Sequence, residues 1–270
     1  VERNLFWPRV GVSRRRPALP RGALLGLAVP LGLLALWQAV TVLGLFEPSQ
    51  LPGPADVLAA AAELAARGEL PVHLLASLRR VLLGFALGGG LAVAVGATVG
   101  LSRRAETLLG PTLQGLRAIP SLAWVPLLVL WMGVDEGPKV TLVAIGAFFP
   151  VLTSLVAGIR QIDRKLVEVA VAYGLDGAGL AREVLLPAAL PALLTGLRIG
   201  LAQSWLFLVA AELIGASRGL GFLLVDGQNT GRADIILLSI VLLALVGKAT
   251  DALLHQAERR LLRWSDTYAG

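Results

Sequence analysis

Two short stretches have spacings that could do chemistry. Gly215 to Gly219 (GASRG) has the G-x-S-x-G pattern that lifts a serine nucleophile onto a tight turn, and Val246 to Thr250 (VGKAT) ends like a phosphate-binding loop. Neither is complete. An intramembrane serine hydrolase would need a histidine near Ser217, and the chain has only His73 and His255. His255 closes the last apolar run at the end opposite Ser217, and twenty residues of helix between them span about 30 Å, ten times hydrogen-bond reach. His73 lies at a helix start and reads as an interfacial residue. A phosphate loop needs glycine five residues before Gly247 and Ser or Thr directly after Lys248, but Leu242 and Ala249 stand there. The chain has no cysteine, which excludes thiolate metal sites and Cys nucleophiles.

The remaining candidates are polar side chains set inside apolar runs: Gln114, Arg117 and Ser121 in one segment, and Arg198, Gln203, Ser204 and Glu212 in another. Ionisable groups at membrane depth mark paths or paired structural sites. Arg117 and Arg198 offer positive charge for an anion, and Gln114, Arg117, Ser121, Gln203 and Ser204 are expected to line a path. Glu212 is either a gate that pairs with a base in one state or an interfacial acid satisfied by water or Arg218.

The elements that must position these residues are membrane helices. At 56% hydrophobic, 16% charged and a mean hydropathy of +0.76, 270 residues have too little polar surface for a soluble domain. Apolar spans are expected over about Ala23–Phe46, Val81–Leu101, Leu108–Met132, Val140–Ile159, Ala189–Ile214 and Ile235–His255, with a basic tail over residues 1–22 and a second over residues 257–270. The first span is a signal anchor with its N-terminus inside. Fifteen Lys/Arg then lie on the inner side against four outside (Arg67, Lys139, Arg218 and Arg232), a positive-inside layout that a shift of one span would reverse. The basic residues form short clusters at span ends, so the net charge of +6 suits anionic lipid rather than nucleic acid.

Within this layout the glycine pairs Gly84/Gly88 and Gly96/Gly100 let helix backbones approach closely, and Ala86, Gly90 and Ala94 share a further small-residue face. Pro54 starts and Gly68 ends an outer helix, and the FLLV of Phe222–Val225 is expected to dip back into the bundle.

Between the fourth and fifth spans lies a polar island, Asp163 to Pro187, within a loop over residues 160–188. Asp163 caps a first helix, which Gly174 ends with a left-handed residue. Asp176 caps a second, which should stop near Leu186 because Pro187 follows. Leu166, Ala170 and Tyr173 fall at i, i+4, i+7 and form an apolar contact face, while Glu168 lies about 160° round the helix from Ala170.

This loop resembles the signature of binding-protein-dependent ABC importer permeases, Glu-Ala-Ala, three residues, Gly, nine residues, Ile, one residue, Leu-Pro. Glu168, Ala170, Gly174, Val184, Leu186 and Pro187 fall in register, with Val169 in place of the first Ala and Val184 in place of Ile. Segments Leu51–Val57, Arg79–Gly89, Leu116–Glu136, Gly158–Gly177 and Ala211–Leu224 are similar to recurring blocks of the nitrate, sulfonate and taurine branch, and the whole is most similar to its aliphatic-sulfonate members. The resemblance implies an all-α type I permease fold in a bacterial inner membrane, with both termini cytoplasmic. It further implies two permease copies around a central path, an external substrate-binding protein, and an ABC ATPase subunit docked on the loop through Leu166, Ala170 and Tyr173, with Glu168 at the rim. ATP would be bound by that partner, so the chain itself needs no cofactor and is no enzyme.

Overall fold

The computed structural model describes residues 21–47 and 49–264; the expected basic tails over 1–22 and 257–270 lie partly outside that range. Residues up to Pro54 form one unit and those from Ala55 another. The first unit holds α1 (Arg21–Val42), whose described apolar stretch is Ala28–Val42, and Trp37 Nε1 donates to the Pro52 carbonyl at 3.0 Å.

The second unit is all helix among the described residues. α2 (Pro54–Ala66) carries Asp56 in its first turn and is followed by Gly68 at φ +72°. Then come α3 (Glu69–Leu101), α4 (Arg103–Ala118), α5 (Val125–Met132), α6 (Glu136–Arg160), α7 (Arg164–Ala172), α8 (Gly177–Leu180), α9 (Leu186–Gly215), α10 (Leu220–Thr230) and α11 (Ala233–Leu261). Among the described residues, four helices are long and apolar enough to cross a membrane: α3, α6, the continuous Gly177–Gly215 and α11. A fifth segment is not the straight span expected over Leu108–Met132. It bends by 88° between α4 and a 3-10 turn at Ser121–Trp124, because Pro120 lacks the N–H that would continue the helix. Pro126 falls in the first turn of α5, where a missing N–H is harmless.

α6 is the central rod, and glycine sets its distance from both neighbours. A Cβ at Gly88 would stand 2.1 Å from the Ala144 carbonyl oxygen, and one at Gly84 or Gly100 within 2.6 Å of Val143 or Ile159. On the other flank, Gly146 receives Phe207, and Gly196 and Gly200 of α9 press on Ser154 and Val151. Close approach lets dispersion contacts and Cα–H contacts accumulate where lipid gives no hydrophobic drive between helices. The core then fills with Val81, Val143, Leu201, Trp205 and Leu208 in one cluster and Ala92, Val151 and Leu152 in another. The expected face of Ala86, Gly90 and Ala94 points outward instead, and Gly90 has open space around it. The pair at Gly84/Gly88 already uses the opposite side of α3 for α6.

As expected, the chain after Gly215 returns to the bundle, where α10 buries Leu220, Gly221, Leu223 and Gly227. Arg232, just before α11, pairs with Asp234 at 2.7 Å and with Glu63 of α2 at 2.8 Å. The Arg232 guanidinium holds the Glu63 carboxyl below the usual carboxylate range. A lowered folded value makes the staple complete above the ordinary Glu value of 4.5 and lost as pH falls through the folded one.

Candidate functional site

Three groupings of polar or exposed residues follow from this frame, one at the loop end of the bundle, one at the far end and one between. At the loop end, Asp163 caps α7 by accepting from Lys165 N at 2.9 Å. Gly174 is left-handed at φ +85°, with Leu175 N donating to Ala170 O at 3.1 Å and Gly174 N to Val171 O at 2.9 Å, a Schellman closure. Tyr173 is 86% exposed, and Leu166 and Val169 stand beside it in the open. Ala170, expected on that face, is only 6% exposed and turns inward within the loop. The outward stripe is therefore Leu166, Val169 and Tyr173. Glu168 pairs with Arg164 one turn back at 3.3 Å.

The second loop helix does not stop before Pro187. α8 passes through a π turn at Ala181–Leu185 directly into α9, and Asp176 makes no capping hydrogen bond. A wide turn re-registers the backbone bonds just ahead of Pro187, so the missing N–H is absorbed and Leu186 and Pro187 become the first residues of the long helix.

At the far end, Glu212 is 1% exposed and fully bonded. It accepts from Arg80 Nη1 at 2.6 Å, Ser77 Oγ at 2.8 Å and Gly221 N at 2.7 Å. Arg80 is 3% exposed and its fork also holds Glu136 through Nε at 2.7 Å and the Arg218 carbonyl at 2.6 Å. Glu212 is thus neither water-satisfied nor paired with the Arg218 side chain. Leu220 N donates to Ser77 Oγ at 2.8 Å, and Gly219 N donates to His73 Nδ1 at 3.0 Å while the imidazole stacks on Phe222. His73 is therefore buried beside the loop holding Ser217 rather than interfacial. Because its Nδ1 lone pair already accepts from Gly219, its other nitrogen carries the proton in the neutral ring and cannot take one from Ser217. The nucleophile reading fails on this bond.

Between the ends, α4 and α6 flank an open cavity of about 520 Å³. Glu106, Gly110, Gln114 and Arg117 form one stripe of α4 facing it, and Phe149, Thr153 and Arg160 of α6 line the other wall. Glu106 and Arg160 pair at 2.7 Å at its loop end. No hydrogen bond or ion pair is formed by Arg117 among the described residues, so the lining carries one uncompensated positive charge. Gln114 and Arg117 are thus brought together, but four expected companions are not. Ser121 lies past the 88° bend. Ser204 is buried with its hydroxyl donating to Gly200 O at 2.9 Å, and Gln203 is half-buried on α9 away from this lining. Arg198 reaches Asp251 at 3.1 Å and Glu258 at 3.3 Å on α11, which neutralise it. Sequence reading missed Glu106, whose spacing of eight and eleven residues from Gln114 and Arg117 puts it on their face.

Arg198→Gln should accordingly lower stability by about 1 kcal/mol, the range for partly exposed pairs, and leave substrate affinity unchanged. Thermal denaturation and uptake KM, measured together, check this.

Apolar membrane-length helices flanking a recess with polar lining residues define a membrane protein. Residues 86–263 match the family model "Binding-protein-dependent transport system inner membrane component", and the chain belongs to that family. It is 42% identical over 258 residues to the "Putative aliphatic sulfonates transport permease protein SsuC" of Bacillus subtilis strain 168, covering 95% of this chain and 94% of that protein. The taurine transport system permease TauC of Escherichia coli K12 is 36% identical over 260 residues, covering 93% of this chain and 94% of TauC. Among solved structures, the methionine ABC transporter MetNI, inward facing, shares the fold at a TM-score of 0.55 and 20% identity, over 67% of this chain and 92% of that one. The protein is a multi-pass membrane permease of an ABC importer, and ATP hydrolysis belongs to a separate subunit.

Proposed function

We propose that this permease imports aliphatic sulfonates, driven by an ATPase that docks on the Asp163–Pro187 loop, and that it works as two copies with both termini cytoplasmic. The observation that carries the anion reading is the unpaired Arg117 in the α4–α6 cavity, in contrast to Arg80 and Arg198, which are both neutralised by acids. A guanidinium offers a sulfonate two parallel N–H donors, and the names of relatives sharing nearly the whole chain favour sulfonate over taurine or bicarbonate. An external binding protein would deliver the ligand. Gln114 and Arg117 then give weak contacts from which cargo can leave.

Docking of the ATPase is supported by the outward Leu166, Val169 and Tyr173, which leave an apolar stripe on a short helix beside the basic residues Arg164 and Lys165. Glu168 sits at the rim. The test is ATP-dependent uptake of ethanesulfonate, taurine and bicarbonate into proteoliposomes holding permease, ATPase and binding protein. Ethanesulfonate uptake an order of magnitude above the other two supports the reading; preference for taurine or bicarbonate overturns it.

Coupling has its own test. A Cβ added at Gly174 would meet nothing within 4 Å, so Gly174→Val acts only through its positive φ, at about 1–2 kcal/mol. It should tilt α7 and lower ATPase co-purification or uncouple hydrolysis from uptake, and Tyr173→Asp should abolish co-purification. Normal values for both variants would remove the loop from the coupling path.

A further inference from the structure

Phe149 lines two cavities at once. On one side it faces the polar cavity with Arg117, and on the other it faces an apolar cavity of about 440 Å³ walled by Leu87, Leu116, Trp124, Trp131 and Phe148. Neighbours in sequence divide in the same way: Arg117 faces the first and Leu116 the second. The one hydroxyl in the apolar lining, Thr141, donates to Met132 Sδ at 3.7 Å and offers the space little. An arginine with no partner among the described residues thus lines the cavity on one side of Phe149, and an apolar pocket lies on its other side. That combination suits an amphiphile whose charged head is anionic and whose tail is a hydrocarbon.

We infer that the two cavities form one composite subsite, in which Arg117 and Gln114 hold the anionic head of the cargo and the Leu116–Trp124–Phe148 pocket takes its alkyl tail, making the permease itself a selector of chain length. The inference rests on the alkanesulfonate reading above. Its physical basis is additive: the guanidinium fixes the head by charge-assisted hydrogen bonds, and each methylene that leaves water for the pocket favours the longer chain. Wide apolar walls with aromatic faces impose no fixed geometry, so chains of several lengths enter with graded preference. The 88° bend at Pro120 makes the arrangement, because it folds Trp124 of the 3-10 turn back toward the same pocket as Leu116.

The experiment is uptake of ethanesulfonate and octanesulfonate by proteoliposomes holding the ATPase, the binding protein and one permease variant at a time. The same binding protein serves every variant, so a change in the octane-to-ethane ratio belongs to the permease. Leu116→Trp fills the tail pocket and should lower that ratio about tenfold, and Leu116→Ala should raise it. Arg117→Gln should reduce both substrates together by about a hundredfold, with Arg117→Lys partly restoring them. Opposite shifts from the two Leu116 variants are not what a packing defect or a lipid-filled pocket produces. If the wild type carries both sulfonates and neither Leu116 variant moves the ratio, the subsite is overturned while the sulfonate reading stands. If the wild type carries no alkanesulfonate, that reading fails and the subsite falls with it.

Discussion

Arg80→Ala is expected to destabilise the bundle by about 3–5 kcal/mol, the cost of leaving a buried charge uncompensated. Its guanidinium ties three elements at once: Glu212 at the end of α9, Glu136 at the start of α6, and the backbone of the loop at Arg218. With it gone, Glu212 keeps Ser77 and Gly221 as donors but loses the cation paired with it among the described residues, and at 1% exposure water cannot replace it. Glu212→Gln should cost less, because Arg80 retains Glu136 and the amide still accepts from Ser77. Arg80→Lys should fall between, since an ammonium cannot present a fork to two carboxylates. Denaturation of the detergent-purified protein, followed by size-exclusion recovery after heating, ranks the three. A Tm for Arg80→Ala equal to wild type would mean that the cluster contributes nothing to stability.

Gly88→Val should have an effect of similar size by a different route. The added Cβ would meet the Ala144 carbonyl oxygen at 2.1 Å, backbone against backbone, with no flexible side chain to give way. α3 must then separate from α6, at about 3 kcal/mol or more once the neighbouring contacts at Gly84 and Gly100 are lost as well. Gly90→Ala on the same helix is the control. Its Cβ meets nothing, and replacing a helical glycine there should stabilise by about 0.5–1 kcal/mol. A drop in Tm for Gly90→Ala alongside an unchanged Gly88→Val would reverse the assignment of which face of α3 packs.

What could be read from the sequence was whatever depends on near neighbours in the chain. The Asp163 cap, the left-handed Gly174, the helix opened by Pro54 and the close-packing role of Gly84/Gly88 are local consequences of residue type, and each is present in the structure. Long-range pairing was not readable in the same way. Arg79 and Arg80 at the head of an apolar run look like interfacial anchors, and only the fold brings Glu136 and Glu212, 56 and 132 residues later, to Arg80. Arg117 and Arg198 likewise look alike in sequence, yet Asp251 and Glu258 of α11 neutralise one and leave the other bare. Pro187 was misleading for a local reason, since a π turn is a backbone response that residue types do not announce. Spacing puts Ala170 on one stripe with Leu166 and Tyr173, but spacing alone does not say which side of α7 the rest of the loop covers, and Ala170 is buried there.

That π turn makes one uninterrupted rod of Gly177–Gly215, with the proposed ATPase landing at one tip and the Arg80–Glu212 clamp at the other. From Gly177 to Glu212 the rod is about 50 Å long at 1.5 Å per residue. Gly174 and Gly177, both at positive φ, flank its lower end and set the turn from α7 into it. A rod of this length turns angle into travel: tilted about its lower tip by about 5°, its upper tip moves about 4 Å, more than a hydrogen bond can stretch. Force applied at the base would therefore be carried along one continuous helix toward the Arg80–Glu212 pair at the opposite mouth.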